Sequence, residues 1–124
     1  MDAALLQDLL TINAADGVTS ITQSAHQYLD IGQNEDLVFY LDVRDFFGTP
    51  LTVSFETSPT PQDSSFLAMI APTSIAANGL TVSRAAFSTA AVPPARYVRW
   101  RLQGPGVGGW NMTFRVWLAA YGYR

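Results

Sequence analysis

Apolar and polar residues alternate through the last thirty residues of the chain, and this period of two constrains the fold more than any other feature. The stretch ARYVRWRLQGPGVGGWNMTFRVWLAAYGY, residues 95–123, holds two alternating runs around a glycine-rich segment. Successive side chains of a strand point to opposite faces, so each run predicts a strand with one buried face. The residues predicted to be buried are Val98, Trp100, Leu102, Met112, Phe114, Val116 and Leu118.

The two runs predict a closing antiparallel hairpin. Pairing even with even positions requires an odd number of turn residues, and residues 103–109 supply seven. On this pairing, the opposite face of both strands collects arginines and large aromatics, which a merely solvated face does not need. These residues are Tyr97, Arg99, Arg101, Arg115, Trp117 and Tyr121.

The same alternation occurs earlier in the chain. Residues 36–46 and 51–57 each place apolar side chains at odd positions, which predicts a second hairpin. Residues 25–31, 66–70 and 80–87 are further predicted strands, and Gly, Pro and Asn punctuate the chain at regular intervals. The pattern predicts an all-β fold: a single antiparallel β-sandwich of jelly-roll or galactose-binding-like type, forming one domain over residues 1–124.

The N-terminal segment MDAALLQDLLTI departs from this alternation. Its leucines Leu5, Leu6, Leu9 and Leu10 recur at helical spacing. About ten residues make a marginal helix in water, so the segment must pack on something. Residues 1–11 are therefore predicted to be a short helical or extended arm that docks on its own domain or on a partner. The segment has no basic start and no long apolar run, so neither a signal peptide nor a membrane span is expected.

Charge and composition exclude some classes of function. The 124 residues carry a net charge of -3, which disfavours nucleic acid as a partner. There is no cysteine, so disulfides and thiolate metal sites are ruled out. All seven basic residues are arginine. Arginine is favoured at interfaces because its planar fork pairs and stacks, and codon bias in a GC-rich genome is a compatible explanation.

No set of residues predicts catalysis. His26 is the single histidine and lies outside any nucleophile motif, so no Ser-His-Asp set can be assembled. We therefore expect no enzymatic activity, no catalytic residue and no cofactor. Asn34, Glu35 and Asp36, with Asp30 nearby, lack the spaced ligand set of specific calcium loops, and a polar turn is preferred to a weak calcium site.

The arginine and aromatic residues of the predicted closing hairpin are the best functional signal. Tyr, Trp and Arg dominate interface hot spots, because they bury a large area and still make directed hydrogen bonds. We expect them, together with the four N-terminal leucines, to form an interface. Two alternatives stay open: the face is covered within the domain, or Trp110 or Trp117 stacks on sugar rings.

Two stretches also carry a family resemblance. ARYVRWRL and FRVWLAAYGY resemble the closing hairpin of discoidin-like (galactose-binding-like) β-sandwiches. Their combination with LTVSFETSPTPQDSSFLAM, residues 51–69, is similar to small accessory proteins of tailed bacteriophages. The resemblance covers roughly residues 37 to 123. The absence of cysteine departs from cell-surface discoidin domains, and no sugar or lipid site is carried over.

The resemblance implies a non-enzymatic virion structural protein, such as a capsid decoration or cement protein. The implied partners are the major capsid protein or other virion proteins and further copies of the chain, with no nucleic acid or membrane. Such a protein would reside in the virion after assembly in the host cytoplasm. The alternative function is a carbohydrate-binding module that uses an exposed Trp or Tyr as a stacking platform for a glycan.

Overall fold

The computed structural model describes residues 2–32 and 34–122, which form two antiparallel β-sheets packed face to face. Met1, Gln33, Tyr123 and Arg124 lie outside the described residues; they include the first residue of the predicted arm and the end of the last predicted strand. Within the described ranges the strands are β1 (Asp2–Ala14), β2 (Ser20–Thr22), β3 (Leu29–Asp30), β4 (Asn34–Gly48), β5 (Leu51–Ser58), β6 (Leu67–Ala68), β7 (Thr73–Ile75), β8 (Gly79–Ala86), β9 (Tyr97–Gln103) and β10 (Trp110–Gly122).

The long strands are divided between the two sheets. Sheet A has the order β1-β10-β4-β8. Sheet B has the order β2-β9-β5-β6, with β3 also paired to β9 and β7 to β5. Two short 3-10 helices, Ala25–Gln27 and Asp63–Ser65, lie in the connections of sheet B. The predicted all-β sandwich is confirmed.

The core lies between the sheets and is built from the residues that the alternation selected. The seven even-numbered residues predicted to be buried in β9 and β10 are all buried. The odd-numbered apolar residues from Leu37 to Val43 in β4 and from Leu51 to Phe55 in β5 are buried as well, whereas Phe47 at the end of β4 is exposed. Aromatic contacts join the layers: Phe39 stacks on Phe55 at 4.1 Å between ring centroids, and Trp100 meets Phe114 edge to face at 5.2 Å. Such pairs stabilise a core beyond the area that they bury.

Both predicted hairpins are wrong in their strand pairing. β4 pairs with β10 and β8, while β5 pairs with β9, β6 and β7. The segment after each first strand therefore carries the chain from one sheet to the other. The residues 103–109 connect β9 in sheet B to β10 in sheet A, and Gly48, at φ +113°, begins the crossing from β4 to β5. Alternation specifies which face of a strand is buried but not which strands pair with it. A hairpin within one sheet and a crossing between two sheets both keep the apolar faces of the two strands on the core.

The N-terminal segment is a strand of sheet A, so the helical form of the predicted arm is wrong. β1 pairs with β10 from Asp2↔Ala120 to Ala14↔Trp110, with register shifts on either side of Gln7. The alternative of an extended segment holds, but the segment is an integral edge strand. Its even-numbered apolar residues reach the core, and Gln7, at the register shifts, is buried as well. The apolar residues are Leu6, Leu10, Ile12 and Ala14. This period of two is hard to recognise in the sequence because Leu5 and Leu6, and likewise Leu9 and Leu10, are adjacent.

The three further predicted strands have different outcomes. Residues 80–87 correspond closely to β8, whereas 25–31 is a 3-10 helix followed by the two-residue β3, and 66–70 contains only the two-residue β6. Among the described residues, no helix is long and apolar enough to cross a membrane.

Candidate functional site

The outer face of sheet A carries a row of apolar side chains that runs directly across all four strands. Leu5 of β1 lies opposite Trp117 of β10, Trp117 opposite Tyr40 of β4, and Tyr40 opposite Val82 of β8. Residues directly opposite in an antiparallel sheet share a face and lie about 5 Å apart, so the four form one continuous band. We call Leu5, Trp117, Tyr40 and Val82 the apolar row.

The apolar row faces away from the core, with Leu5 half-buried and the other three side chains exposed. Trp117 is 44% exposed, Val82 54% and Tyr40 36%, whereas Trp100 and Trp110 are almost completely buried. Leu80, two residues before Val82 on β8, is also largely exposed and widens the band. A shallow groove of about 360 Å³ follows it, lined by Ala3, Tyr40, Asp42, Leu80, Trp117, Leu118 and Ala119.

A charged pair borders the apolar row on one side. Arg115 of β10 lies opposite Asp42 of β4, and its Nη2 is 3.3 Å from Oδ2 of Asp42. Arg44 also contacts Asp42, at 2.8 Å through its Nε. The guanidinium of Arg115 lies 5.6 Å from the ring centroid of Trp117, within the range of a cation–π contact. The charges and the aromatic residues are thus parts of one surface.

On the other side of the apolar row lie two small or medium-sized apolar side chains, a second ion pair and a tyrosine. Ala119 lies opposite Val38, and Val38 lies opposite Arg84, whose guanidinium is 3.4 Å from Asp36. Tyr121, opposite Asp36 and 39% exposed, closes this end of the face. The surface therefore combines an apolar centre with a charged rim, which is the composition of a protein interface.

The predicted interface divides between two opposite surfaces. Arg115, Trp117 and Tyr121 lie on the outer face of sheet A, but Tyr97, Arg99 and Arg101 belong to β9 in sheet B. The prediction that all six share one face is wrong, because it depended on the closing hairpin. The sandwich separates the two sets by the thickness of both sheets.

Arg99 is covered within the chain. Its guanidinium lies 4.2 Å from the ring centroid of Phe66 and 5.5 Å from that of Tyr28. It donates to Oε1 of Glu56 at 2.8 Å and also to Asp63 and the Tyr28 hydroxyl. Burial alone would lower the pKa of Arg99, but these hydrogen bonds outweigh it and the pKa is raised. The predicted role of Arg99 in an interface is replaced by a structural one.

The neighbours of Arg99 on β9 also make contacts within the chain. Arg101 donates to the Ser20 hydroxyl at 2.9 Å and lies 3.6 Å from Glu56. The ring of Tyr97 is 5.4 Å from the guanidinium of Arg96. Both side chains are partly buried. The alternative that the face is covered within the domain therefore describes the β9 half of the predicted surface.

The four N-terminal leucines do not lie on one surface. Leu6 is a core residue, Leu10 packs partly against the core, and Leu9 is 55% exposed. Leu5 is the one that belongs to the apolar row. Trp110, one of the two candidates for sugar stacking, is buried, so only Trp117 keeps that possibility open.

Sequence reasoning missed Tyr40, Leu80 and Val82 as members of the surface. Tyr40 was recognisable as an aromatic residue on the wet side of an amphipathic strand. Leu80 and Val82 share the parity of exposed Arg84 on β8, which is the signal that places them outside. Their approach to Trp117 depends on the strand order, which the sequence pattern does not specify.

The described residues show no group of three or more His, Asp and Glu side chains arranged to hold a metal ion. His26 is exposed in the first 3-10 helix. In the region considered for calcium, Asp30 accepts from the Gly32 amide at 2.9 Å and pairs with Arg96, and Asp36 accepts from the Phe87 amide at 3.0 Å. These carboxylates serve as partners of neighbouring segments.

No family model and no curated protein matches the chain. A chain from a solved structure described by the words "Bacillus endospore appendages form a novel family of disulfide-linked pili" is similar over 98% of this chain and 93% of its own length. The identity is 14% and the TM-score is 0.47. A likeness at this level is too distant to bear on function.

Proposed function

We propose that the chain is a non-enzymatic structural protein that works through protein–protein contacts made by the outer face of sheet A. We further propose that the assembly is a virion, in which the chain is an accessory or decoration subunit. The observation that carries the first proposal is the apolar row, which exposes Trp117, Tyr40 and Val82 side by side across the sheet.

A row of apolar side chains that stays exposed to water does not stabilise a sheet in the way that buried apolar side chains do. Exposed large apolar residues occur singly on most proteins, but contiguous patches mark sites of contact. The charged pair Arg115–Asp42 lies at the border of this patch. It would fix the orientation of a partner that binds mainly through apolar contacts. This arrangement offers both adhesion and orientation to a protein partner.

The virion proposal has a separate basis. It is supported by the similarity of residues 51–69 and of the two C-terminal stretches to accessory proteins of tailed bacteriophages. In a particle, many copies engage a repeating lattice, so a shallow surface of moderate affinity is sufficient because avidity multiplies its effect.

The experiment that tests both proposals is incorporation into particles in the native host. The tagged wild-type chain, expressed from its own locus, should co-purify with particles on a density gradient, and the Trp117→Ala/Val82→Asp variant should stay at the top of the gradient. Val107→Asp, at an exposed loop position, is the matched control and should behave as wild type. A wild-type chain found only in the free fraction of particle-producing cells would contradict the virion proposal.

Carbohydrate binding is the second candidate, and one observation favours it. Trp117 is an exposed indole with a carboxylate, Asp42, in the lining of the same groove, and sugar sites combine a stacking ring with polar groups. Glycan-dependent quenching of Trp fluorescence that disappears in Trp117→Ala would favour this function over protein–protein contact.

A further inference from the structure

We propose that the outer face of sheet A binds a second copy of the chain, so that two sandwiches pack face to face about a two-fold axis. The axis would run parallel to the strands, between β10 and β4. This inference rests on the proposed function, since it names one partner for the same surface.

The arrangement of residues on β10 and β4 carries the inference. Three outward pairs lie directly opposite each other on these central strands: Arg115↔Asp42, Trp117↔Tyr40 and Ala119↔Val38. A two-fold axis between the strands places β10 of one copy over β4 of the other. Each residue of a pair then faces the other member of that pair in the second copy, which is the requirement of an isologous interface.

The three exchanged contacts are all complementary. Arg115 faces Asp42 of the second copy, so a cation meets an anion twice across the axis. Trp117 faces Tyr40 of the second copy, which offers an aromatic contact, and Ala119 faces Val38 with no bulk to separate the sheets. Because the axis is parallel to the strands, the two sheets pack in the aligned mode of β-sandwiches.

The outer strands extend the same surface. The axis places β1 of one copy over β8 of the other, so Leu5 meets Val82 at both ends of the apolar row. The exposed apolar side chains of this face present on the order of 500 Å², against about 800 Å² buried by each partner of a standard interface. The remainder comes from the polar border.

The intrachain contact of Arg115 leaves room for this exchange. Its bond to Asp42 is 3.3 Å long, which is outside the usual range for a charge-assisted hydrogen bond, and the Arg115 side chain is 27% exposed. The side chain of Asp42 is 23% exposed. Both side chains are thus partly accessible to a second charged partner above the sheet, although Asp42 also accepts from Arg44.

Mixing two charge-reversal variants tests the exchange. Arg115→Asp leaves two carboxylates at this position of the face, and Asp42→Arg leaves two guanidinium groups there, next to Arg44. By sedimentation velocity over a concentration series, each variant alone should self-associate at least tenfold more weakly than the wild type. An equimolar mixture should recover the dimer, because each interchain contact then joins opposite charges.

A second pair of variants keeps the inference testable if the substitutions at Arg115 or Asp42 prevent folding. Val82→Asp, on the edge strand β8, should abolish the wild-type dimer, and Val107→Asp, in the loop before β10, should leave it intact. Near-ultraviolet circular dichroism from the buried Trp100 and Trp110 verifies that each variant is folded.

The outcomes separate the inference from the proposed function. A wild-type chain that stays monomeric at hundreds of micromolar, a dimer that survives Val82→Asp, or a charge-reversed mixture that stays monomeric would each overturn the inference. If particle incorporation still depended on Val82 in that case, the proposed function would stand and its partner would be a different protein.

Discussion

Trp100 donates its indole Nε1–H to Oε1 of Gln7 at 3.0 Å, and this bond lies between the two sheets. Gln7 belongs to β1 in sheet A and Trp100 to β9 in sheet B, so one buried hydrogen bond ties the N-terminal strand to the opposite layer. Gln23 strengthens the same tie, because its Nε2 donates to the Leu6 carbonyl at 2.7 Å and its Oε1 accepts from the Trp100 amide at 3.2 Å.

Replacing Gln7 with leucine should destabilise the fold by about 1–3 kcal/mol, since the Trp100 Nε1–H would remain buried without an acceptor. Urea unfolding followed by circular dichroism measures the loss. The matched control is Gln27→Leu, at an exposed position, which should change the free energy of unfolding by less than about 0.5 kcal/mol. Equal effects of the two substitutions would show that the Gln7–Trp100 bond does not contribute.

The leucines of β1 should differ sharply in their contribution to stability. Leu6→Ala removes a core side chain and should cost about 2–5 kcal/mol, whereas Leu9→Ala, at an exposed position, should cost less than about 0.5 kcal/mol. Removal of residues 2–11 should prevent folding, because β10 would lose its pairing with β1 along most of its length and the core would lose Leu6. A stably folded truncated chain would contradict the assignment of β1 to the sheet and restore a detachable arm.

Removal of Arg99 should be among the most damaging substitutions in sheet B. In Arg99→Leu the carboxylate of Glu56 stays buried without its 2.8 Å partner, and loss of one member of a buried ion pair costs about 3–5 kcal/mol. Asp63→Asn is the control, because Asp63 is 79% exposed and its contribution should be below about 1 kcal/mol. Thermal melts of both variants should separate by many degrees, and coincident melts would mean that Glu56 is solvated when Arg99 is absent.

The core could be predicted from the sequence because burial alone determines the alternation. Val98, Trp100 and the other even-numbered residues of β9 and β10 face inward whichever strands lie beside them. Strand order could not be predicted in this way. Residues 103–109 suit a hairpin and a crossing equally well, and the choice depends on contacts between residues that are distant in sequence.

The candidate site was predictable only in part for the same reason. Trp117 and Arg115 were identified from their position on the wet side of β10. Their neighbours Tyr40 and Val82 come from strands that only the fold brings together. Arg99 was misplaced because nothing local to β9 indicates that the segment containing Asp63 and Phe66 folds over it.

The turn at Asp30 should give the fold a specific acid sensitivity. The Gly32 amide, and to a lesser degree Arg96, hold the pKa of the Asp30 carboxyl below its ordinary value of 3.8. The native state therefore binds this proton less readily than the unfolded state, so the contribution is present above about pH 4 and is lost as the pH falls through the lowered pKa.

Asp30→Asn tests this linkage. The variant should have a lower melting temperature than the wild type at neutral pH, and the difference should shrink below about pH 4. Arg96→Gln should keep most of the pH dependence, because the Gly32 amide is the larger cause. A difference between wild type and Asp30→Asn that stays constant into acid would show that the carboxylate charge is not involved.

Trp117→Ala separates a contact surface from a structural one. The side chain lies on the outer face of sheet A, so its removal forfeits only surface contacts with Tyr40, Leu5 and Arg115. It should cost less than about 1 kcal/mol. Trp100→Ala, a core deletion of the same side chain, should cost about 3–5 kcal/mol. The emission spectrum provides an independent reading, since the loss of the one largely exposed indole should shift the remaining fluorescence to shorter wavelength. If Trp117→Ala destabilised the chain as much as Trp100→Ala, the indole would have to be packed within the domain, and the outer face of sheet A would no longer be available to a partner.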